Sequence, residues 1–217
     1  MVHQLPLYAH EISRSYGKFL ALSPLDLTIS AGELVLLTGP NGAGKTTLLH
    51  CLSGLLRPST GQVSIAGYDL YAEERNAKLN LAFVPDVPRF YTELTAWEHL
   101  RFIALAHDSG QDFPERAETL LKEFGLWEGR DLFPHHYSRG MRLKLGLLMT
   151  FIRPFKLLLL DEPTSALDRE STALLLARLD DLRSQGVGIL LSTHNPEITG
   201  TLADRRLEMH AGLLEAS

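Results

Sequence analysis

One short segment constrains this chain more than any other: Gly39-Pro40-Asn41-Gly42-Ala43-Gly44-Lys45-Thr46. It follows an apolar run, Leu34-Val35-Leu36-Leu37, that reads as a buried strand. It leads into Thr46-Thr47-Leu48-Leu49-His50-Cys51-Leu52, which reads as a helix. The glycines allow the backbone to curl so that successive N–H groups converge on phosphate oxygens, and the helix N-terminus adds its partial positive charge. Lys45 contributes a full charge for β- and γ-phosphates, and the Thr46 hydroxyl suits Mg²⁺. The pattern GxxxxGK[ST] between a strand and a helix reads as a phosphate-binding loop, whereas a chance Gly-rich turn would require neither the strand nor the Lys-Thr pair. The expectation is a nucleoside triphosphate held by Gly39, Pro40, Asn41, Gly42, Ala43, Gly44, Lys45, Thr46 and Thr47.

With 217 residues, 45% of them hydrophobic and 22% charged, the chain can build one domain with a subdomain, or two small ones. A net charge of −5 argues against a nucleic-acid partner, which would call for a basic stripe. The single cysteine, Cys51, excludes an internal disulfide and a zinc site built on paired cysteines. Flanked by Leu48, Leu49 and Leu52, it reads as a small core thiol in a reducing compartment. The N-terminus has no basic region followed by an apolar stretch, so no signal peptide is visible. Apolar runs such as 145–152 fall short of the roughly 18 residues or more that a membrane span needs. Any membrane process served by these residues needs a partner to supply the channel.

Strand patterns at Leu7–Ile12, Leu25–Ile29, Leu34–Leu37, Gln62–Ala66, Leu81–Val84, Phe155–Leu160 and Val187–Ser192 are separated by turn residues and helical periodicity. From Thr95 to about Gly125, and again over Arg142–Phe151 and Thr172–Leu182, the apolar spacing is helical. Strands alternating with helices indicate an α/β phosphate-loop fold with a largely parallel sheet. An N-terminal antiparallel β subdomain and a helical insertion over residues 86–150 would complete it, leaving residues 1–85 and 151–217 as the nucleotide-binding core.

Leu157-Leu158-Leu159-Leu160-Asp161-Glu162 is a buried strand ending in two carboxylates. Two acids at the mouth of an apolar strand are costly unless a cation meets them, and a Mg²⁺-nucleotide does so. Asp161 is placed to bind the metal and Glu162 to orient and deprotonate an attacking water. The bland alternative is a solvated Asp-Glu turn before Pro163. His194 closes the apolar run that ends in Ser192-Thr193, at the sheet edge where parallel strands deliver their C-terminal ends, within reach of a γ-phosphate. Tyr137-Ser138-Arg139-Gly140-Met141 precedes an amphipathic helix; Ser138 reads either as an ordinary N-cap or, with Gly140, as a second phosphate-binding element.

With these residues in place, the chain resembles the nucleotide-binding subunit of ABC transporters over nearly its whole length. The Gly39–Thr47 segment is similar to the family's Walker A motif, and Leu157–Asp168 to its Walker B strand, catalytic glutamate and D-loop, Ser165-Ala166-Leu167-Asp168. His194 matches the H-loop histidine, Tyr137–Met141 stands in the place of the signature, and Tyr16 matches the aromatic that stacks on adenine. The resemblance implies ATP and Mg²⁺ as cofactors and a head-to-tail dimer with a second copy or a homologous subunit. Ser138 and Gly140 would then serve the nucleotide of the partner, and the D-loop Asp168 would be a further nucleotide-binding residue. It further implies a polytopic membrane permease and a place on the cytoplasmic face of the cell membrane.

Two departures stand out. The Q-loop position carries Asp86, a carboxylate that can still serve Mg²⁺, and the signature has Arg139 in place of a glycine. These features resemble the ABC-2-type exporter branch, with the haem-exporter ATPases next in length, and so imply export. A soluble assembly ATPase of the iron–sulfur type is the alternative. A phosphate-loop kinase is disfavoured by the signature and D-loop.

Overall fold

The apolar runs are taken up by two sheets. The computed structural model describes residues 5–194 and 203–216. Its strands are β1 Leu7–Tyr16, β2 Phe19–Ile29, β3 Leu34–Thr38, β4 Thr60–Ile65, β5 Tyr68–Asp69, β6 Leu81–Val84, β7 Leu157–Asp161, β8 Gly188–Ser192, β9 Arg205–His210 and β10 Leu213–Ala216. Its helices are α1 Lys45–Ser53, α2 Glu74–Leu79, α3 Ala96–Ala106, α4 Phe113–Glu123, α5 Arg139–Phe151 and α6 Arg169–Ser184. None of the described helices is long and apolar enough to cross a membrane.

The first sheet is antiparallel, in the order β2-β1-β4-β5. The second runs β10-β9-β3-β8-β7-β6, with β9, β3, β8 and β7 parallel to one another and β10 returning antiparallel to β9. This is the α/β class that the sequence implies. Every residue of β7 and β8 is buried, which is why these strands read as unbroken apolar runs rather than alternating ones. By contrast, β1 alternates at its start: Leu7 and Ala9 point inward while Tyr8 and His10 are exposed.

Contacts divide the chain into two compact units. The first comprises Met1–Phe83, Phe155–Glu162 and Leu179–Ser217; the second comprises Val84–Pro154 and Pro163–Arg178. The core of the first unit gathers Leu7, Ile12, Ile29, Val35, Leu37, Leu48, Leu52, Ile65, Leu157, Leu159 and Leu190 between the sheets and α1. Cys51 lies in the same cluster, where burial pushes its thiol up to about 11, so it is an inert core residue.

In the second unit, α3, α4 and α5 supply the apolar faces. Leu100, Ala104, Ala117, Leu121, Phe124, Leu145 and Leu148 are fully or almost fully buried. Helix α3 begins with a capping box in which the Glu98 N–H donates to Thr95 Oγ1 (3.2 Å) and the Thr95 N–H to Glu98 Oε2 (2.8 Å). Trp97 packs edge-on against Phe113 and Trp127, with ring centroids 5.1 and 6.2 Å apart.

Three local features differ from the sequence reading. The helical pattern from Thr95 to about Gly125 is two helices, separated where Asp108 and Asp112 take left-handed backbone conformations (φ 52° and 56°). Strand β2 starts at Phe19 rather than Leu25, because Pro24 lies within a strand at the edge of its sheet, where a missing N–H is tolerated. The hairpin β9–β10 was not among the expected strands.

Candidate functional site

Strand β3 delivers the chain to the loop, and α1 leaves it. Gly39, with φ 136°, stands where a Cβ would lie 2.2 Å from the carbonyl oxygen of Met209 on β9. Only glycine combines that backbone conformation with so close an approach. Pro40, Asn41 and Gly42 form the exposed tip, and Ala43 is buried beneath it, its N–H donating to the Pro40 carbonyl at 3.2 Å. Gly44 caps α1, and Lys45, Thr46 and Thr47 make its first turn.

Lys45 turns back into the loop. Its Nζ donates to the carbonyls of Gly39 (2.7 Å) and Pro40 (3.2 Å) and lies 3.1 Å from His194 Nε2. Burial pulls its pKa below the ordinary lysine value, and the carboxylates of Glu162 and Asp161 oppose that shift. A buried ammonium facing two carboxylates is a ready counter-charge for phosphate.

The parallel register brings three strand ends to one edge: Leu37 pairs with Ser192, and Ser192 with Asp161. Asp161 is only 4% exposed, and both its oxygens are engaged. Ser192 Oγ donates to Oδ1 at 2.6 Å, and Thr46 Oγ1 donates to Oδ2 at 2.8 Å. The Thr46 hydroxyl and the Asp161 carboxylate are hard oxygen donors of the kind Mg²⁺ takes, together with water and substrate phosphates. Among the described residues no cluster of three or more His, Cys, Asp or Glu could hold a metal alone.

Glu162 follows in a left-handed backbone conformation (φ 47°) that a glutamate adopts only under constraint. The constraint is visible. The Glu162 N–H donates to the Ser192 carbonyl (3.0 Å) and hydroxyl (3.2 Å), and Glu162 Oε2 accepts from the His194 N–H (3.2 Å). The other oxygen, Oε1, lies 3.3 Å from His194 Nε2 but is buried with no hydrogen bond among the described residues. The same ring nitrogen lies 3.1 Å from Lys45 Nζ, whose ammonium form can donate to it but not accept.

The structure thus gathers Gly39, Pro40, Lys45, Thr46, Asp161, Glu162 and His194 into one constellation. Ser192, which the sequence reading treated only as a strand residue, belongs to it. The signal was a polar residue closing an apolar strand, but its meaning depended on the register with β7. Tyr16, at the end of β1, is about half exposed, with the Arg14 guanidinium 4.6 Å above its ring.

The remaining expected residues lie in the second unit. Ser138 caps α5, its Oγ accepting the Met141 N–H at 3.2 Å. A Cβ on Gly140 would lie 2.6 Å from the Ala166 carbonyl, so the signature is pressed onto the turn after Glu162. Asp168 accepts the Ser171 N–H at 2.7 Å, and this bond holds its carboxyl down at about 2, with Lys144 at 3.4 Å assisting. Asp86, also in the second unit, accepts through its Oδ1 from Arg139 Nη2 (3.0 Å) and from Ser165 Oγ (2.7 Å).

A phosphate loop and a strand-end carboxylate pair on a mainly parallel sheet define a phosphate-loop nucleoside triphosphatase. Comparison with known proteins narrows the class. The family model described as "ABC transporter" matches residues 22–165. The SkfA peptide export ATP-binding protein SkfE of Bacillus subtilis (strain 168) is 35% identical over 209 residues, covering 96% of this chain and 87% of that protein. A solved structure titled as the ATP binding subunit of an ABC transporter superposes with a TM-score of 0.91 at 34% identity, covering 97% of this chain and 89% of that one. A dimeric ATP-binding cassette in a post-hydrolysis state, bound to ADP and Pi, shares the fold with a TM-score of 0.87 at 23% identity, covering 97% and 98%. The chain belongs to the ABC transporter family, as an ATP-binding, ATP-hydrolysing subunit.

Proposed function

We propose that this subunit powers an exporter from the cytoplasmic face of the cell membrane, by closing head to tail with a second copy and moving a separate permease. The observation that carries the chemistry is Glu162 Oε1, a buried carboxylate oxygen that lacks a donor among the described residues and lies beside Lys45 and His194. A carboxylate so placed accepts a proton from water. The water oxygen then bonds to the γ-phosphorus, the bond from that phosphorus to the β–γ bridging oxygen breaks, and ADP leaves with the electron pair.

Lys45 and the loop N–H groups hold the phosphates, and His194 orients the γ-phosphate. Thr46 and Asp161 would hold Mg²⁺, which neutralises phosphate charge when bound. Tyr16 stacks on adenine. Ser138 and Gly140 meet the nucleotide of the second copy, with Asp168 beside it. Support for export comes from the peptide export for which the Bacillus relative is named and from the Tyr-Ser-Arg-Gly-Met sequence.

The test is Glu162→Gln. The amide keeps the shape and the bond from the His194 N–H but cannot take the proton. ATP should still bind, turnover should fall by about a hundredfold or more, and an ATP-dependent dimer should accumulate on size exclusion. Undiminished turnover would assign the water to another residue.

A further inference from the structure

The second unit contains a charge cluster that the hydrolytic site does not use. Arg139 Nη2 donates to Asp86 Oδ1 (3.0 Å) and to Ser165 Oγ (3.2 Å), while Ser165 Oγ donates to the same Asp86 oxygen (2.7 Å). The hydroxyl thus accepts from the guanidinium and donates to the carboxylate, and each group has the one role open to it. Three segments far apart in sequence meet there: the second residue after β6, the first residue of α5, and the turn between β7 and α6.

Stability is a poor reason for the cluster. The Arg139 and Asp86 side chains are 59% and 39% exposed, and ion pairs so wetted add little to folding. Electrostatics of α5 gives a better one. A helix N-terminus favours anions, yet the first turn of α5 carries Arg139 and Arg142 and no acid. Asp86 supplies the missing negative charge from another segment. Beside it, Gly140 packs on the Ala166 carbonyl and Lys144 reaches Asp168, so the start of α5 is fastened along the whole 165–168 turn.

We propose that Asp86, Arg139 and Ser165 form a latch that fixes the signature segment onto the turn following Glu162, and that Asp86 is a positioning residue acting through Arg139 rather than a metal ligand. The inference rests on the reading that Ser138 and Gly140 serve the nucleotide of a second copy: the latch sets the geometry in which they are presented. Asp86 and Arg139 are then one feature and not two separate departures from the family pattern.

The experiment is a double-mutant cycle of Asp86→Asn and Arg139→Met, with the reversed pair Asp86→Arg plus Arg139→Asp. In the free subunit, hydrogen exchange at residues 138–142 and 164–168 should quicken together in either single variant, and the double variant should be no worse than either. In a Glu162→Gln background, each single variant should weaken ATP-dependent dimerisation about fivefold or more, and the reversed pair should recover most of it. Arg139→Met should lower kcat while leaving the affinity of one subunit for ATP unchanged. Unaltered exchange in both segments, additive losses in the double variant, or a changed Mg²⁺ dependence in Asp86→Asn but not in Arg139→Met would each overturn the latch. Failure of the Glu162→Gln parent to dimerise would instead strike the head-to-tail reading, and exchange in the free subunit would still decide the latch.

Discussion

Ser192 and Asp161, on neighbouring parallel strands, are joined side chain to side chain by a 2.6 Å hydrogen bond in full burial. One serine thereby holds the strand-end carboxylate in the orientation that leaves its second oxygen to Thr46. The same serine accepts the Glu162 N–H through its carbonyl and its hydroxyl, so both acids are set by it.

Ser192→Ala should therefore cost more than a typical lost hydrogen bond. Asp161 would keep its burial and lose a donor, a change worth about 1–3 kcal/mol. Urea unfolding measures the loss, and ATP titrations with and without Mg²⁺ should show that the metal-dependent share of affinity falls most. A Ser192→Ala protein with unchanged Mg²⁺ dependence would reduce the serine to a structural role.

The two loop glycines Gly39 and Gly42 should respond very differently to alanine. At Gly39 a methyl would sit 2.2 Å from the Met209 carbonyl oxygen, so a backbone segment must move. The cost is expected to be several kcal/mol, a large share of a domain's stability. At Gly42 nothing lies within 4 Å and only the φ of 80° opposes a side chain, so a cost of about 1–2 kcal/mol is expected. Chemical denaturation of the two variants gives the ranking directly, and equal losses would contradict the packing described for Gly39.

Asp168 gives a pH-dependent prediction. Its pKa falls from 3.8 to about 2 in the folded chain, chiefly because the Ser171 N–H bonds the charged form. A group depressed on folding stabilises above its unfolded pKa, and that contribution is lost as the pH falls through the folded one. The gap in melting temperature between wild type and Asp168→Asn should be full above pH 3.8 and close towards pH 2. A gap that stays constant across that window would remove the carboxylate as its source.

Tyr16→Ala should weaken ATP by about 1–3 kcal/mol if the ring stacks on adenine. Calorimetric titration with inorganic triphosphate, which has no base, should show no such loss. Equal weakening of both ligands would place Tyr16 in the support of the loop and not on the base.

The sequence revealed the loop, the acidic strand end and His194 because each is a run of chemistry along a single segment. The sheet was legible wherever strands are buried on both faces, as in Leu157–Leu160. Relations across segments were hidden. Ser192 acquires its role only through its register with Asp161, and Asp86 reads differently once Arg139, 53 residues away, is seen to hold it. The last hairpin left only a faint trace: Leu207 and Met209 alternate inward on β9, but charged neighbours mask the period.

That hairpin has a consequence for the birth of the protein. Thr38, which ends β3, donates its hydroxyl to the Leu207 carbonyl 169 positions later, Gly39 rests against Met209, and the Gly212 N–H donates to Ala43. A segment synthesised early is thus shaped by one synthesised late. On the ribosome, Lys45 emerges long before the strand that completes its cradle, and the nascent chain holds an unfinished loop until residues 205–212 are free to join β3.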